Sequence, residues 1–258
     1  MQMLSLKTFA LGAATALALA ATPASAALVT TWNYTLTDEF TAATNTANDD
    51  SAAGWFESAT EISWGSPTQR SSLTISPADG TVNGVVNTNS GIAVGPTLTH
   101  NNTAIPAQYA TLSSATLLST LYLTAAVPAG PAADPIAVNF DISFIETLNE
   151  APCSDPQGPD CADIFVLSNP GSLTQFIDYG GMTYKITIFE LTGAIKVLNE
   201  SDCLAVGQGA GCIGFVTSEG EATSAQFGFI IQAPEPAAFA LFGAGLAGLG
   251  LAARRRRK

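Results

Sequence analysis

The chain is poor in positive charge, with nine Lys and Arg in 258 residues against 21 Asp and Glu. Lys7 stands near the start and Arg254, Arg255, Arg256, Arg257 and Lys258 stand at the end, so only Arg70, Lys185 and Lys196 lie between, alongside every acidic residue. That stretch carries an excess of 18 negative charges. Phosphate backbones are bound by clustered Lys and Arg, so nucleic-acid binding is excluded. There is a single histidine, His100, and no G-x-S-x-G elbow beside it, so no nucleophile-histidine set is legible and no catalytic residue is assigned. Neither a C-x-x-C pair, a D-x-[DN]-x-[DN]-G loop nor a fixed repeat period occurs. Their absence argues against the common zinc and EF-hand patterns and against a solenoid.

Charge of either sign is scarce, at 12% of residues, and the mean hydropathy is +0.28. The apolar residues collect at the two ends. Met1 to Lys7 forms a short positive region, Phe9 to Ala21 is apolar, and Ala24-Ser25-Ala26 offers small residues for cleavage. Residues 1–26 therefore read as a secretory signal, cut by signal peptidase between Ala26 and Ala27. At the other end Pro234-Glu235-Pro236 precedes an uncharged stretch from Ala237 to Ala253 and the basic tail Arg254 to Lys258. At about 1.5 Å per residue this stretch reaches roughly 25 Å, near the lower limit for a transmembrane helix. The basic tail holds its own end in the cytoplasm and leaves the rest of the chain outside. Gly243, Gly245 and Gly248 match G-x-G-x-x-G, but without a preceding strand or a later acidic residue they read as small residues on a membrane helix.

The order of box, helix and basic tail over residues 233–258 resembles the PEP-CTERM sorting signal of Gram-negative bacteria. The resemblance implies a membrane protease-transpeptidase, the exosortase, that recognises Pro234, Glu235 and Pro236 and removes the helix with Arg254, Arg255, Arg256 and Arg257. It also implies an inner-membrane-anchored precursor, a final place at the cell surface or outside the cell, and an association with exopolysaccharide and biofilm.

Residues 27–232 form the exported domain. Val138, Phe140, Ile142 and Phe144 alternate with polar residues, as do Tyr184, Ile186 and Ile188, and Phe227, Phe229 and Ile231. This period of two marks half-buried strands. Gly180-Gly181 predicts a tight hairpin after Gln175 to Tyr179. Further strands are expected at residues 30–36, 71–76, 112–123, 164–167, 195–198 and 212–217, with surface loops over 41–54 and 124–135. Nine or ten strands without an amphipathic helix predict an all-β fold, an antiparallel β-sandwich of jelly-roll type. Four cysteines allow three pairings, and the local ones, Cys153 with Cys161 and Cys203 with Cys212, are preferred because each closes a loop with little else to pack.

Trp64-Gly65, Ser71-Ser72-Leu73 and then Thr99, His100 and Asn102 resemble the THxN family of PEP-CTERM proteins. That resemblance supplies no activity. From the residues themselves, Thr99, His100 and Asn102 are expected to hydrogen-bond backbone groups at a loop corner and to fix how Ile105 enters the sheet. Asp38-Glu39, Asp49-Asp50 and the group Asp155, Asp160 and Asp163 could ligate Ca²⁺, although a solvated acidic surface is the simpler expectation, and neither a metal ligand nor a cofactor is assigned. Trp32, Trp55 and Trp64 could stack on sugars or fill the core. The expectation is an exported surface or matrix protein without catalytic activity; the alternative is a carbohydrate-binding or carbohydrate-cleaving module.

Overall fold

In the computed structural model the described residues are 27–47, 49, 52–147, 161–169 and 173–233. The expected signal segment up to Ala26, the segment holding Cys153, Asp155 and Asp160, and the segment from Pro234 onward lie outside them. Ala27 is exposed, a few residues before the first strand.

The described residues are all-β, with two antiparallel sheets and one short helix. The strands are β1 (Thr31–Asn45), β2 (Phe56–Glu57), β3 (Glu61–Gly65), β4 (Arg70–Ser76), β5 (Thr81–Asn87), β6 (Ala93–Asn101), β7 (Leu112–Val127), β8 (Ala129–Ala132) and β9 (Ile136–Ile145). They are followed by β10 (Asp163–Leu167), β11 (Thr174–Tyr179), β12 (Met182–Glu190), β13 (Lys196–Val197), α1 (Glu200–Ala205), β14 (Ile213–Thr217) and β15 (Ala222–Gln232). One sheet runs β13-β14-β10-β9-β7-β1-β5, with β8 on β7. The other runs β11-β12-β15-β6-β4-β3-β2.

Alternation along the strands drives the packing. In β1 Trp32, Tyr34, Leu36 and Phe40 turn inward, and in β9 Val138, Phe140, Ile142 and Phe144 do the same. Both sheets contribute to the same clusters: Phe40, Leu117, Phe140, Phe144 and Phe165 from one meet Ile62, Trp64, Leu73 and Leu98 from the other. At about 25 cal/mol per Å² of apolar surface, such shared burial is the main force joining the layers. Gly180 and Gly181 take φ of +59° and +80°, and Tyr179 pairs with Met182, so the expected β11–β12 hairpin forms.

Four expectations are corrected. Fifteen strands stand among the described residues rather than nine or ten. Residues 41–45 continue β1 instead of opening a loop, because Ala43 and Thr44 pair with Ala115 and Ser114 of β7, where the Thr44 and Ser114 hydroxyls lie 2.6 Å apart. Residues 124–127 likewise extend β7, with β8 folding back on it. In both places cross-strand neighbours outweigh a loop-like composition. Finally, the loop between Cys203 and Cys212 begins in helix α1, which Asn199 caps by accepting the Asp202 N–H at 2.8 Å.

Cys203 and Cys212 form a disulfide with their Cα atoms 5.7 Å apart. Cys161 is also disulfide-bonded, and Cys153 lies outside the described residues.

Candidate functional site

The site sits where the two sheets are bridged by the turn between β14 and β15. In β6 the inward positions are occupied by Leu98 and His100, while Thr99 points outward and its hydroxyl lies 2.8 Å from that of Ser224 across the strand pair. His100 is completely buried. Its ring lies parallel to that of Trp64, with centroids 5.9 Å apart and planes at 9°, and it meets the edge of Phe144 at 5.1 Å. Neither ring nitrogen has a hydrogen-bond partner, and Nε2 stands 3.6 Å from Asp163 Oδ2. Burial pushes its pKa down to about 3, so His100 is neutral.

Asp163 begins β10 and is also fully buried. Ile164 pairs with Ile145 in register, which puts Glu146 opposite Asp163 on the next rung. Asp163 also pairs with Thr217 of β14, and Glu219 follows two residues later in the turn. Carboxylate oxygens of Glu146, Asp163 and Glu219 come within 4.8 Å of one another. Burial raises the pKa of all three; for Asp163 the Glu146 carboxylate adds to the rise, and for Glu146 hydrogen bonds from Trp64 and Asp163 oppose it while Glu219 adds to it. Like charges opposite one another in a sheet are destabilising, so this triad needs protons or a cation.

The surrounding groups hold the acids in place. The Trp64 indole N–H donates to Glu146 Oε2 at 2.7 Å, and the Thr147 N–H donates to Asp163 Oδ1 at 3.0 Å. The Asn102 side-chain amide donates to the Thr217 carbonyl at 2.8 Å, its backbone N–H donates to the Glu221 carbonyl at 2.9 Å, and its own carbonyl accepts from Gly220 at 3.2 Å. Asn102 therefore clamps the turn that carries Glu219. Gly65 takes φ +117°, and a Cβ there would lie 2.5 Å from the Gln69 carbonyl oxygen and 3.1 Å from Ile105. The Trp-Gly and Thr-His-x-Asn segments thus meet around one set of carboxylates.

This corrects the expected role of His100. Asn102 bonds the backbone as anticipated, but Thr99 and His100 lie within a strand, and His100 bonds no backbone group because its neighbours are aromatic rings and carboxylates. Of the acidic residues singled out as ion ligands, Asp163 is in the cluster, and Asp155 and Asp160 lie outside the described residues. Asp38 is buried in β1 beside Ser119, away from it. Glu146 and Glu219 were not singled out, though the alternation Val138, Phe140, Ile142, Phe144 carried one step further lands on Glu146. Trp32 and Trp64 are fully buried and offer no sugar platform.

The remaining signal is at the end of the chain. Residues 232–257 match the family model described as PEP-CTERM protein-sorting motif. The chain carries a PEP-CTERM sorting motif. This indicates an exported protein processed by an exosortase, which makes that enzyme its partner. The motif starts at Gln232, the last residue of β15, so it follows directly on a strand held between β12 and β6. None of the curated proteins compared with the chain is similar to it. No helix among the described residues is long and apolar enough to cross a membrane, and Ala237 to Ala253 lie outside them.

Proposed function

We propose that this is an exported, non-catalytic protein of the cell surface or extracellular matrix, of the THxN kind, whose jelly-roll-like sandwich associates with exopolysaccharide. The PEP-CTERM motif at residues 232–257 carries this reading. It is supported by the acidity of the chain and by the form of the buried acid cluster. Glycosidases need two carboxyl groups flanking a sugar at about 5 Å or more, whereas Asp163 is fully buried and within 4.8 Å of Glu146 and Glu219. Crossings of the chain between the sheets, at β1–β2, β4–β5 and β5–β6, support the jelly-roll description. Deleting the gene in its host should reduce cell aggregation or polymer retention, and complementation with the full chain should restore it. Unchanged biofilm mass and polymer content would refute the matrix role.

A second reading, carbohydrate binding, is favoured by one observation. A cleft of about 670 Å³ lies beside the cluster, lined by Gln69, Tyr109, Thr111 and Glu146 among others. An aromatic ring with polar neighbours is the usual make-up of a sugar subsite. Titration with a panel of polysaccharides tests it: saturable binding that is lost in Tyr109→Ala supports a sugar site, and no binding across the panel removes it.

A further inference from the structure

We propose that Glu146, Asp163 and Glu219 bind one divalent cation of the oxygen-preferring class represented by Ca²⁺, in a pocket built by the Trp64-Gly65 and Thr99-His100-Asn101-Asn102 segments. The proposal stands independently of the polymer reading. Ca²⁺ takes carboxylate oxygens at about 2.3–2.6 Å, so oxygens on opposite sides of an ion lie about 5 Å apart. The three carboxylates here offer oxygens within 4.8 Å of one another. Glu146 Oε1, Asp163 Oδ2 and both Glu219 oxygens are buried atoms to which no donor is directed.

The second observation is His100. It is fully buried, it makes no hydrogen bond through either nitrogen, and its Nε2 faces Asp163 at 3.6 Å. A proton shared by Glu146 and Asp163 would satisfy that one contact. It would leave the Glu219 oxygens unmet, and buried polar atoms are rarely left so. Neither Lys nor Arg is among the groups that act on Glu146 or Asp163. A divalent cation supplies the missing positive charge and gives the three carboxylates a common partner. Glu146 also lines the neighbouring cleft, which provides a way in from solvent.

The residues around the cluster have a purpose in this arrangement. Trp64 fixes one Glu146 oxygen and leaves the other turned to the site, Thr147 does the same for Asp163, and Asn102 holds the Glu219 turn. Such outer partners orient metal ligands and set their affinity.

The test is calorimetric titration of CaCl₂ into the full chain, purified in detergent and stripped with EDTA, alongside thermal unfolding with and without the ion. The expected result is one ion per chain, a Kd of about 10⁻³ M or tighter, and a higher unfolding temperature with Ca²⁺. Asp163→Asn should abolish uptake. Because that residue is buried, Glu219→Gln in the turn is the decisive variant, and it should lose at least about tenfold in affinity as one ligand charge is removed. No saturable uptake up to about 10 mM, equal uptake by Glu219→Gln, or binding of Zn²⁺ but not Ca²⁺ would each overturn the proposal.

Discussion

Trp64 and Glu146, 82 residues apart, are joined by an indole N–H to carboxylate hydrogen bond of 2.7 Å, while the same indole ring lies parallel to His100. One side chain thereby ties β3 to the end of β9, across the two sheets, and walls the only histidine. Trp64→Phe keeps the ring and removes the donor. Leaving a buried carboxyl oxygen without its partner costs about 1–3 kcal/mol. Urea unfolding should show that loss, and a double-mutant cycle with Glu146→Leu, which removes the acceptor, should show coupling. Additive effects would mean that the bond does not contribute.

Asp38 supplies a pH dependence. It is buried among Leu36, Leu117, Leu121 and Phe140, and burial raises its pKa from 3.8 to about 6, against a smaller opposing hydrogen bond from Ser119. The folded state thus holds the proton more tightly than the unfolded chain. Stability from this group is full below about pH 4 and falls as pH rises through 6, by up to about 3 kcal/mol. Asp38→Asn should remove this fall, so the variant gains on the wild type between pH 4 and 7. Parallel stability curves for the two proteins would refute the assignment.

The Cys203–Cys212 bridge closes a loop with a sequence separation of 9. A loop of this length is worth roughly 2–3 kcal/mol through restriction of the unfolded chain. Replacing both cysteines by Ser should lower the unfolding free energy by about that amount. The loss should leave the acid cluster intact, because α1 lies in a separate small core with Ile164, Val166 and Leu198.

Processing is read by intact mass. In cells with an exosortase the mature protein should run from Ala27 to about the Pro234-Glu235-Pro236 box. Pro lacks a backbone donor and disfavours helix at the preceding residue. Glu235→Ala, or neutral residues at Arg254 to Arg257, should leave an uncut precursor. A mature wild-type protein that still carries the basic tail would refute removal of this end.

The all-β class was legible because period-two runs such as Val138 to Phe144 and Phe227 to Ile231 record which face is buried. The β11–β12 hairpin was legible for a similar reason, since Gly180 and Gly181 can take the positive φ its turn requires. β5 and β6 went unread. β5 is partly exposed along most of its length, so it lacks a clear alternation, and β6 contains Gly95 and Pro96, which look like a break. Pairing with β1 on one side and with β4 and β15 on the other is what makes them strands.

By itself the sequence determined the sorting motif, which is contiguous in the chain and recognised as such, and the residue types of the Trp-Gly and Thr-His-x-Asn segments. It also placed Asp163 among possible ion ligands, but with Asp155 and Asp160 as neighbours. Only the tertiary structure decided that Glu146 and Glu219 join Asp163 beside His100. These four residues come from β6, the end of β9, the start of β10 and the β14–β15 turn. Their proximity is set by sheet register and by the packing of one sheet on the other, and neither quantity is written in the local spacing of residues along the chain.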